Sequence, residues 1–178
     1  RAVAAVLRTP WLSRGPQIEA LEHEFAKLHG YNYAVAVSSC GAAITLTARF
    51  NVYPVSITGG TFVGVYKALS LACVRFSVID MDDMRRYPTV ATLLYNSNFI
   101  HPEPGSQVPQ WADYSQGVGF SPAHKCDACY SFYPNKQICG GEGGIICTQN
   151  EKRAEWYRSA RNNGREKGSW TDSQYGFN

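Results

Sequence analysis

The chain has 178 residues, which is enough for one domain with a sizeable core, and its composition of 44% hydrophobic and 17% charged residues indicates a soluble globular protein. Its net charge of +3 is small and dispersed, and no basic run is interleaved with aromatic residues, so nucleic-acid binding is not expected. No apolar stretch reaches the roughly 18 residues of a membrane span and residues 1–8 lack a signal-peptide layout, so we expect no membrane partner and a cytoplasmic location.

Apolar periodicity predicts helices and strands that alternate along the chain. The first helix is indicated by Ile18, Leu21 and Phe25, which fall at helical spacing. The strand segments are short apolar runs that end in polar or glycine-rich turns. In chain order the predicted elements are helix 16–30, strand 33–39, helix 42–50, strand 56–62, helix 63–72, strands 74–79, 89–96, 108–115, 127–133 and 144–148, and helix 151–163 with Asn150 as its N-cap.

This alternation predicts an α/β fold with a mostly parallel sheet. In such sheets ligands bind outside the carboxyl ends of the strands. Four segments with polar or reactive residues are expected at those ends: 38–41, 61–62, 113–116 and 131–136. The sequence therefore predicts one site to which four loops contribute.

The cysteines and histidines give no pattern typical of a metal site. Cys126 and Cys129, with Cys139 and Cys147, have a spacing compatible with zinc ligands, but the first pair continues into a strand, where residues three apart point to opposite faces. We therefore expect no metal and interpret the six cysteines as buried free thiols. The histidines are predicted to lie on the surface: His23, His29, His101 and His124.

Lys136 is the most informative residue, because an apolar strand delivers it to the glycine-rich turn 140–144. Glycines let a backbone and a ligand approach each other closely, and a lysine that reacts with a carbonyl must do so as the neutral amine. This arrangement is typical of an amine presented to a cofactor. An isolated lysine in a loop is more often a surface residue, and the surrounding motif is what favours the cofactor.

Asp113 ends a second apolar strand, where a carboxylate is costly to bury unless it pairs with a cation. Gln116 follows three residues later. The alternative for Asp113 is an N-cap of a helix that begins after the strand.

The turn 38–43 leads from a strand into a helix, whose N-terminus offers free backbone N–H groups to a phosphate. An ordinary strand-to-helix turn is the alternative. Phe62 lies in another such connection, and its ring is suited to stacking on a planar ligand, with a core phenylalanine as the alternative.

These segments together resemble the DegT/DnrJ/StrS family of sugar aminotransferases, which are fold-type I enzymes that use pyridoxal 5'-phosphate (PLP). The resemblance is carried by the lysine segment 131–144, the stretch 111–117, the turn 38–43, the residues 61–63 and the final residues 176–178. It implies a PLP-binding large domain over residues 1–178, with three α/β/α layers and a mostly parallel central sheet. The C-terminal small domain of the family is expected to be absent from this chain.

The resemblance also implies a role for each candidate residue. Lys136 corresponds to the Schiff-base lysine, and Asp113 to the carboxylate that pairs with the PLP ring nitrogen. The remaining cofactor contacts that it implies are Gln116 to the phenolic oxygen, Phe62 stacked on the ring, Ser131, Cys40 and Gly41 at the phosphate, and Asn178 at the phosphate of the partner subunit. An asparagine that acts in trans implies a homodimer with shared active sites.

Three features depart from the family pattern. Ala112 stands where the family has glutamate, and Cys40 and Gly41 stand where it has glycine and threonine, so a threonine hydroxyl is missing. The connections 50–56 and 99–108 look short for a parallel sheet. Both ends of the chain read as cut, which we interpret as part of a longer protein or an unusually short version of one.

The resemblance implies transfer of an amino group from glutamate or glutamine to a keto sugar, with a nucleotide-linked sugar expected. Some relatives with histidine at the lysine position are sugar dehydratases, and a lysine favours transamination. The alternative is a truncated or degenerate domain that acts as a non-catalytic binding or partner protein.

Overall fold

The computed structural model describes residues 2–51, 55–80, 111–119 and 126–165. Helix 2–6 was not predicted, and the helices and strands that follow it within these ranges agree with the predicted alternation. The helices are α1 (Ala2–Val6), α2 (Pro16–Leu28), α3 (Cys40–Asn51), α4 (Val63–Leu71) and α5 (Glu151–Ala160). The strands are β1 (Tyr33–Val37), β2 (Val55–Thr58), β3 (Phe76–Ile79), β4 (Trp111–Asp113), β5 (Asp127–Ser131) and β6 (Gly144–Thr148). The predicted strand 89–96 lies outside the described residues.

Four of these strands form one sheet in the order β1-β6-β5-β4. β4 and β5 are parallel, whereas β6 is antiparallel to both β1 and β5. Strands β1, β4 and β5 therefore run in one direction, as the predicted parallel sheet requires, and β6 is inserted between two of them in the opposite direction. β2 and β3 form a separate parallel pair.

The sheet is covered on both faces, because neighbouring residues of its strands enter two different clusters of the core. Val35, Cys129 and Ile146 pack in the cluster that contains residues of α3, α4 and α5. Ile145 and Tyr130 pack on the opposite face, in the cluster that contains residues of α2. These contacts give the three α/β/α layers that were predicted.

The edge of the sheet at β1 is covered by charged side chains. The Ala36 N–H donates to Glu22 Oε1 at 2.9 Å, and Arg161 Nη1 donates to the Ala36 carbonyl at 2.6 Å. Arg161 also forms an ion pair with Glu22, and Arg158 Nε lies 3.9 Å from Glu22 Oε2. This network links α2 to the end of α5 and satisfies backbone groups that an edge strand would otherwise leave open.

Helix α5 begins at the residue that the sequence predicted. Asn150 Oδ1 accepts the Arg153 N–H at 3.1 Å, which confirms the predicted N-cap. The helix ends at Ala160, earlier than predicted, and the chain then passes through turns in which Asn163 and Gly164 have positive φ.

The prediction that His29 lies on the surface is wrong. His29 is 2% exposed and stacks on Phe25 with a ring-centroid distance of 4.2 Å. Its Nδ1 lies 3.1 Å from the Phe25 carbonyl, and its Nε2 accepts the Gly119 N–H at 3.0 Å. These partners require a neutral imidazole with its proton on Nδ1, and they tie α2 to the turn after β4.

All six cysteines are free, but only three of them are buried as predicted. Cys126, Cys129 and Cys147 are buried, whereas Cys73 and Cys139 are exposed. Among the described residues, no three His, Cys, Asp or Glu side chains are grouped closely enough to hold a metal ion. None of the helices in the described ranges is long and apolar enough to cross a membrane.

We expect Ile146→Ala to lower the free energy of unfolding by about 2–5 kcal/mol, because the side chain of β6 is fully buried and its loss leaves a cavity. Ile138→Ala is the matched control, since Ile138 is 47% exposed, and its effect should stay within about 0.5 kcal/mol. Urea denaturation of both variants measures the difference, and equal losses would contradict the placement of β6 at the centre of the core.

Candidate active site

Three of the four segments that were predicted to carry chemistry, 38–41, 113–116 and 131–136, lie at one edge of the four-stranded sheet, whereas segment 61–62 follows β2 of the separate pair. Asp113 is the last residue of β4 and Ser131 is the last residue of β5. Gly144, the first residue of β6, pairs with both Val37 and Ser131. The carboxyl ends of β1, β4 and β5 therefore lie together with the start of β6, where an α/β sheet binds its ligands.

Asp113 is a buried carboxylate. Its Oδ1 accepts the Ser115 N–H at 2.8 Å and lies 3.9 Å from the Cys40 thiol. Burial raises the pKa of Asp113, and the hydrogen bonds from Ser115, the positive charge of Lys136 and the thiol of Cys40 act against that rise. The N-cap alternative is wrong, because the residues from 114 to 119 form turns rather than a helix.

Lys136 lies in a loop that is closed at its base. The Phe132 N–H donates to the Gly143 carbonyl at 3.0 Å, and the Gly140 N–H donates to the Phe132 carbonyl at 2.8 Å. Within the loop, the Lys136 N–H donates to the Tyr133 carbonyl at 2.9 Å. The lysine is half-buried, and its positive charge opposes the rise in the pKa of Asp113 and of Cys40 that burial causes. Its loop follows β5, whose parallel neighbour β4 ends at Asp113.

The start of α3 lies against the start of β6. Ser39 Oγ accepts the Ala42 N–H at 3.1 Å, so Ser39 caps the helix, which begins at Cys40. A Cβ placed on Gly144 would lie 2.6 Å from the Cys40 nitrogen and from the Ser39 carbonyl group. The absence of a side chain at Gly144 therefore allows the backbone of the predicted phosphate loop to approach the sheet.

The structure brings together four of the predicted site residues: Cys40, Asp113, Ser131 and Lys136. Ser131 is buried, and its Oγ accepts the Tyr133 N–H at 3.3 Å. Gly41 is exposed in the first turn of α3. The roles of these residues toward a cofactor stay predictions.

The remaining predicted residues have different outcomes. Gln116 is half-buried, and its carbonyl accepts a hydrogen bond from Gln137 Nε2, which joins the turn after β4 to the lysine loop. Phe62 precedes α4 and is 59% exposed, so the alternative of a core phenylalanine is wrong. Stacking of its ring on a ligand stays a prediction. Asn178 lies outside the described residues.

Sequence reasoning missed two contacts of this site. It assigned Cys40 to the phosphate loop and predicted no partner for its side chain. The only signal for a contact was that a cysteine stands where the family has glycine. It also overlooked Gln137, which has no local signature because its partner, Gln116, lies 21 residues away. Both contacts depend on how the strands are ordered in the sheet.

Comparison with known proteins identifies the family. The sequence model of the DegT/DnrJ/EryC1/StrS aminotransferase family matches residues 1–93 and 111–178, and the chain belongs to this family. It is similar to the spore coat polysaccharide biosynthesis protein SpsC of Bacillus subtilis (strain 168), with 24% identity over 200 residues that cover 94% of this chain and 51% of that protein. The chain thus spans about half the length of this curated relative.

Solved structures give the same fold. The sugar aminotransferase CalS13 from Micromonospora echinospora has a TM-score of 0.81 at 20% identity, covering 98% of this chain and 59% of that chain. NtdA from Bacillus subtilis with bound cofactor PMP has a TM-score of 0.81 at 21% identity, covering 98% of this chain and 47% of that chain. These likenesses confirm the predicted fold, that of the fold-type I sugar aminotransferases.

We expect Gly144→Ala to destabilise the protein by about 1–3 kcal/mol, because the added methyl group meets backbone atoms that cannot rotate away. Gly60→Ala is the control, since a Cβ there meets nothing within 4 Å. Urea denaturation compares the two variants. A loss for Gly144→Ala no larger than that for Gly60→Ala would contradict the close approach.

Asp113→Asn should stabilise the protein measured without cofactor at neutral pH. The raised pKa means that the folded protein binds a proton on Asp113 more readily than the unfolded chain, so this group costs stability as the pH rises above the ordinary value of 3.8 and through the folded pKa. The amide keeps an acceptor for Ser115 and removes the charge. Thermal melts between pH 4 and 8 should show that the advantage of the variant grows with pH, and a constant or reversed difference would contradict this account.

Proposed function

We propose that this protein is a PLP-dependent aminotransferase that moves an amino group from an amino acid, glutamate or glutamine, to a keto sugar. The observation that carries the proposal is that the buried Asp113 ends β4 and that Lys136 lies in the loop that follows β5, the parallel neighbour of β4, at the same edge of the sheet. An amine that can be attached to an aldehyde and a buried carboxylate that can pair with a ring cation are the two groups that PLP chemistry requires.

The residues at the sheet edge fit the cofactor. Asp113 is a buried carboxylate with a raised pKa, and a cationic ring nitrogen would supply the charge that its burial calls for. Lys136 would hold the cofactor covalently, and the first turn of α3, capped by Ser39, would offer backbone N–H groups to its phosphate. Ser131, Gln116 and Phe62 are proposed to make the further contacts that the family resemblance implies.

PLP supplies an electron sink that withdraws electrons from the bond to be broken. The chain's own part would be proton movement: the Lys136 amine would take a proton from the α-carbon of the bound amino donor and hold it for return. Its loop is held at its base by the Phe132–Gly143 and Gly140–Phe132 hydrogen bonds, which would keep the amine near its target. The Asp113 carboxylate would pair with the protonated ring nitrogen.

A nucleotide-linked sugar is the proposed substrate. A cavity of about 600 Å³ lies beside β1 and the start of α3. Its cationic lining residues are Arg14, Arg161 and Arg165, its amide residues are Asn162 and Asn163, and no carboxylate contributes to its lining in the described residues. The cationic groups of this lining support a substrate that carries an anionic group, although Arg161 is also paired with Glu22.

A homodimer in the cytoplasm completes the proposal. It is supported by the resemblance of residues 176–178 to a family motif whose asparagine reaches the cofactor phosphate of the partner subunit. Asn178 would then contribute to the partner's site.

The competing function is a non-catalytic binding domain, which the replacement of the expected threonine by Gly41 favours.

The test is an absorption spectrum with added PLP, before and after borohydride reduction, for the wild type, Lys136→Ala and Lys152→Ala. Lys152 is exposed on α5 and serves as the control lysine. We expect a visible band in the wild type and the control, with the reduced cofactor recovered by mass spectrometry on the peptide that contains Lys136. Absence of the band, or its persistence in Lys136→Ala, would overturn the proposal and favour the binding domain.

A further inference from the structure

The side chain of Cys40, a residue of the predicted phosphate loop, also contacts Asp113. Its Sγ lies 3.9 Å from Asp113 Oδ1, the same oxygen that accepts the Ser115 N–H at 2.8 Å. Burial and the negative charge of Asp113 raise the pKa of the Cys40 thiol, so it carries its proton and is a donor. The contact is thus a hydrogen bond from a neutral thiol to a buried carboxylate.

The backbone holds this thiol in place. Cys40 is the first residue of α3, and the helix start is capped by Ser39 and packed against Gly144. A residue with little freedom at its backbone presents its side chain to Asp113 in a constant direction. The family has glycine at this position, which has no side chain to donate, so this donor is a feature of the present chain.

We propose that Cys40 is a positioning residue for Asp113: with Ser115 it fixes the orientation of the carboxyl group, which would pair with the cationic ring nitrogen of the cofactor. The inference rests on the proposed function for the identity of that cation. The contact between the thiol and the carboxylate does not depend on it.

Five groups among the described residues act on the charge of the Asp113 carboxyl. They are the Cys40 thiol from α3, the N–H and the hydroxyl of Ser115 from the turn after β4, the Lys136 amine from the loop after β5, and the Cys129 thiol of β5, whose own pKa is raised by burial and by Asp113. Removing one donor makes the carboxylate easier to protonate and freer to rotate. Cofactor binding should then weaken, and the loss at acid pH should begin at a higher pH.

The first experiment measures the dissociation constant of PLP between pH 5 and 8 for the wild type, Cys40→Ala and Cys40→Ser, with Cys73→Ala as the control for an exposed thiol. We expect Cys40→Ala to bind PLP roughly two- to tenfold more weakly, as for the loss of one hydrogen bond, and its acid limb to move to higher pH. Cys40→Ser keeps a donor and should restore the wild-type values.

A merely structural role for Cys40 would change the melting temperature without moving the acid limb. Wild-type binding and an unmoved acid limb in Cys40→Ala would overturn the inference, as would a Cys40→Ser variant that is folded but binds as weakly as Cys40→Ala. If the wild type forms no complex that depends on Lys136, the proposed function fails, and with it the role toward the ring nitrogen.

The second experiment tests the contact without cofactor. The rate of alkylation of Cys40 by iodoacetamide is measured by peptide mass spectrometry in the wild type and in Asp113→Asn, with Cys73 as the internal reference. Because the charge of Asp113 raises the pKa of the thiol, its removal should accelerate alkylation at Cys40 and leave Cys73 unchanged. Equal rates at Cys40 in the two proteins would overturn the contact whatever the outcome with PLP.

Discussion

Burial of the Asp113 carboxylate is the constraint on which the candidate site depends. A carboxylate at the end of a strand that is covered on both faces loses its hydration, and only donors and cations brought to it can replace that loss. Ser115 supplies a backbone N–H, Cys40 a thiol and Lys136 a positive charge. These groups come from three separate parts of the chain, so the carboxylate is stabilised only when the sheet edge is assembled.

The antiparallel strand β6 makes that assembly possible. It pairs with β1 on one side and β5 on the other, and its two neighbouring isoleucines, Ile145 and Ile146, enter the two opposite clusters of the core. Its first residue, Gly144, lies against the backbone of Ser39 and Cys40. One strand thus joins the packing of the core to the position of the loop that carries the thiol.

The site combines family features with one that belongs to this chain. Lys136, Asp113 and the strand-to-helix turn 38–43 are the segments on which the sequence resemblance rests, and they follow β5, β4 and β1 at one edge of the sheet. The cysteine and glycine at positions 40 and 41 do not follow it. The side chain of Cys40 contacts the Asp113 carboxylate. Because Gly41 has no hydroxyl, the proposed phosphate site consists of backbone N–H groups and Ser131.

The sequence by itself determined the features that depend on neighbours along the chain. Apolar periodicity was sufficient for the order of the described helices and strands from α2 to α5, and Asn150 was recognisable as an N-cap because its partner, Arg153, is three residues away. The family resemblance added the proposed role of each site residue, and three of the four predicted segments follow β1, β4 and β5 at a common edge of the sheet.

Tertiary structure alone decided the features whose partners are far apart in the chain. The burial of His29 follows from a hydrogen bond with Gly119, 90 residues away, which its local sequence does not reveal. The bond between Cys40 and Asp113 spans 73 residues. Apolar periodicity shows which face of an element is apolar, but it does not show which element covers that face. The pairing of the strands is what brings the Cys40 thiol and the Asp113 carboxylate together.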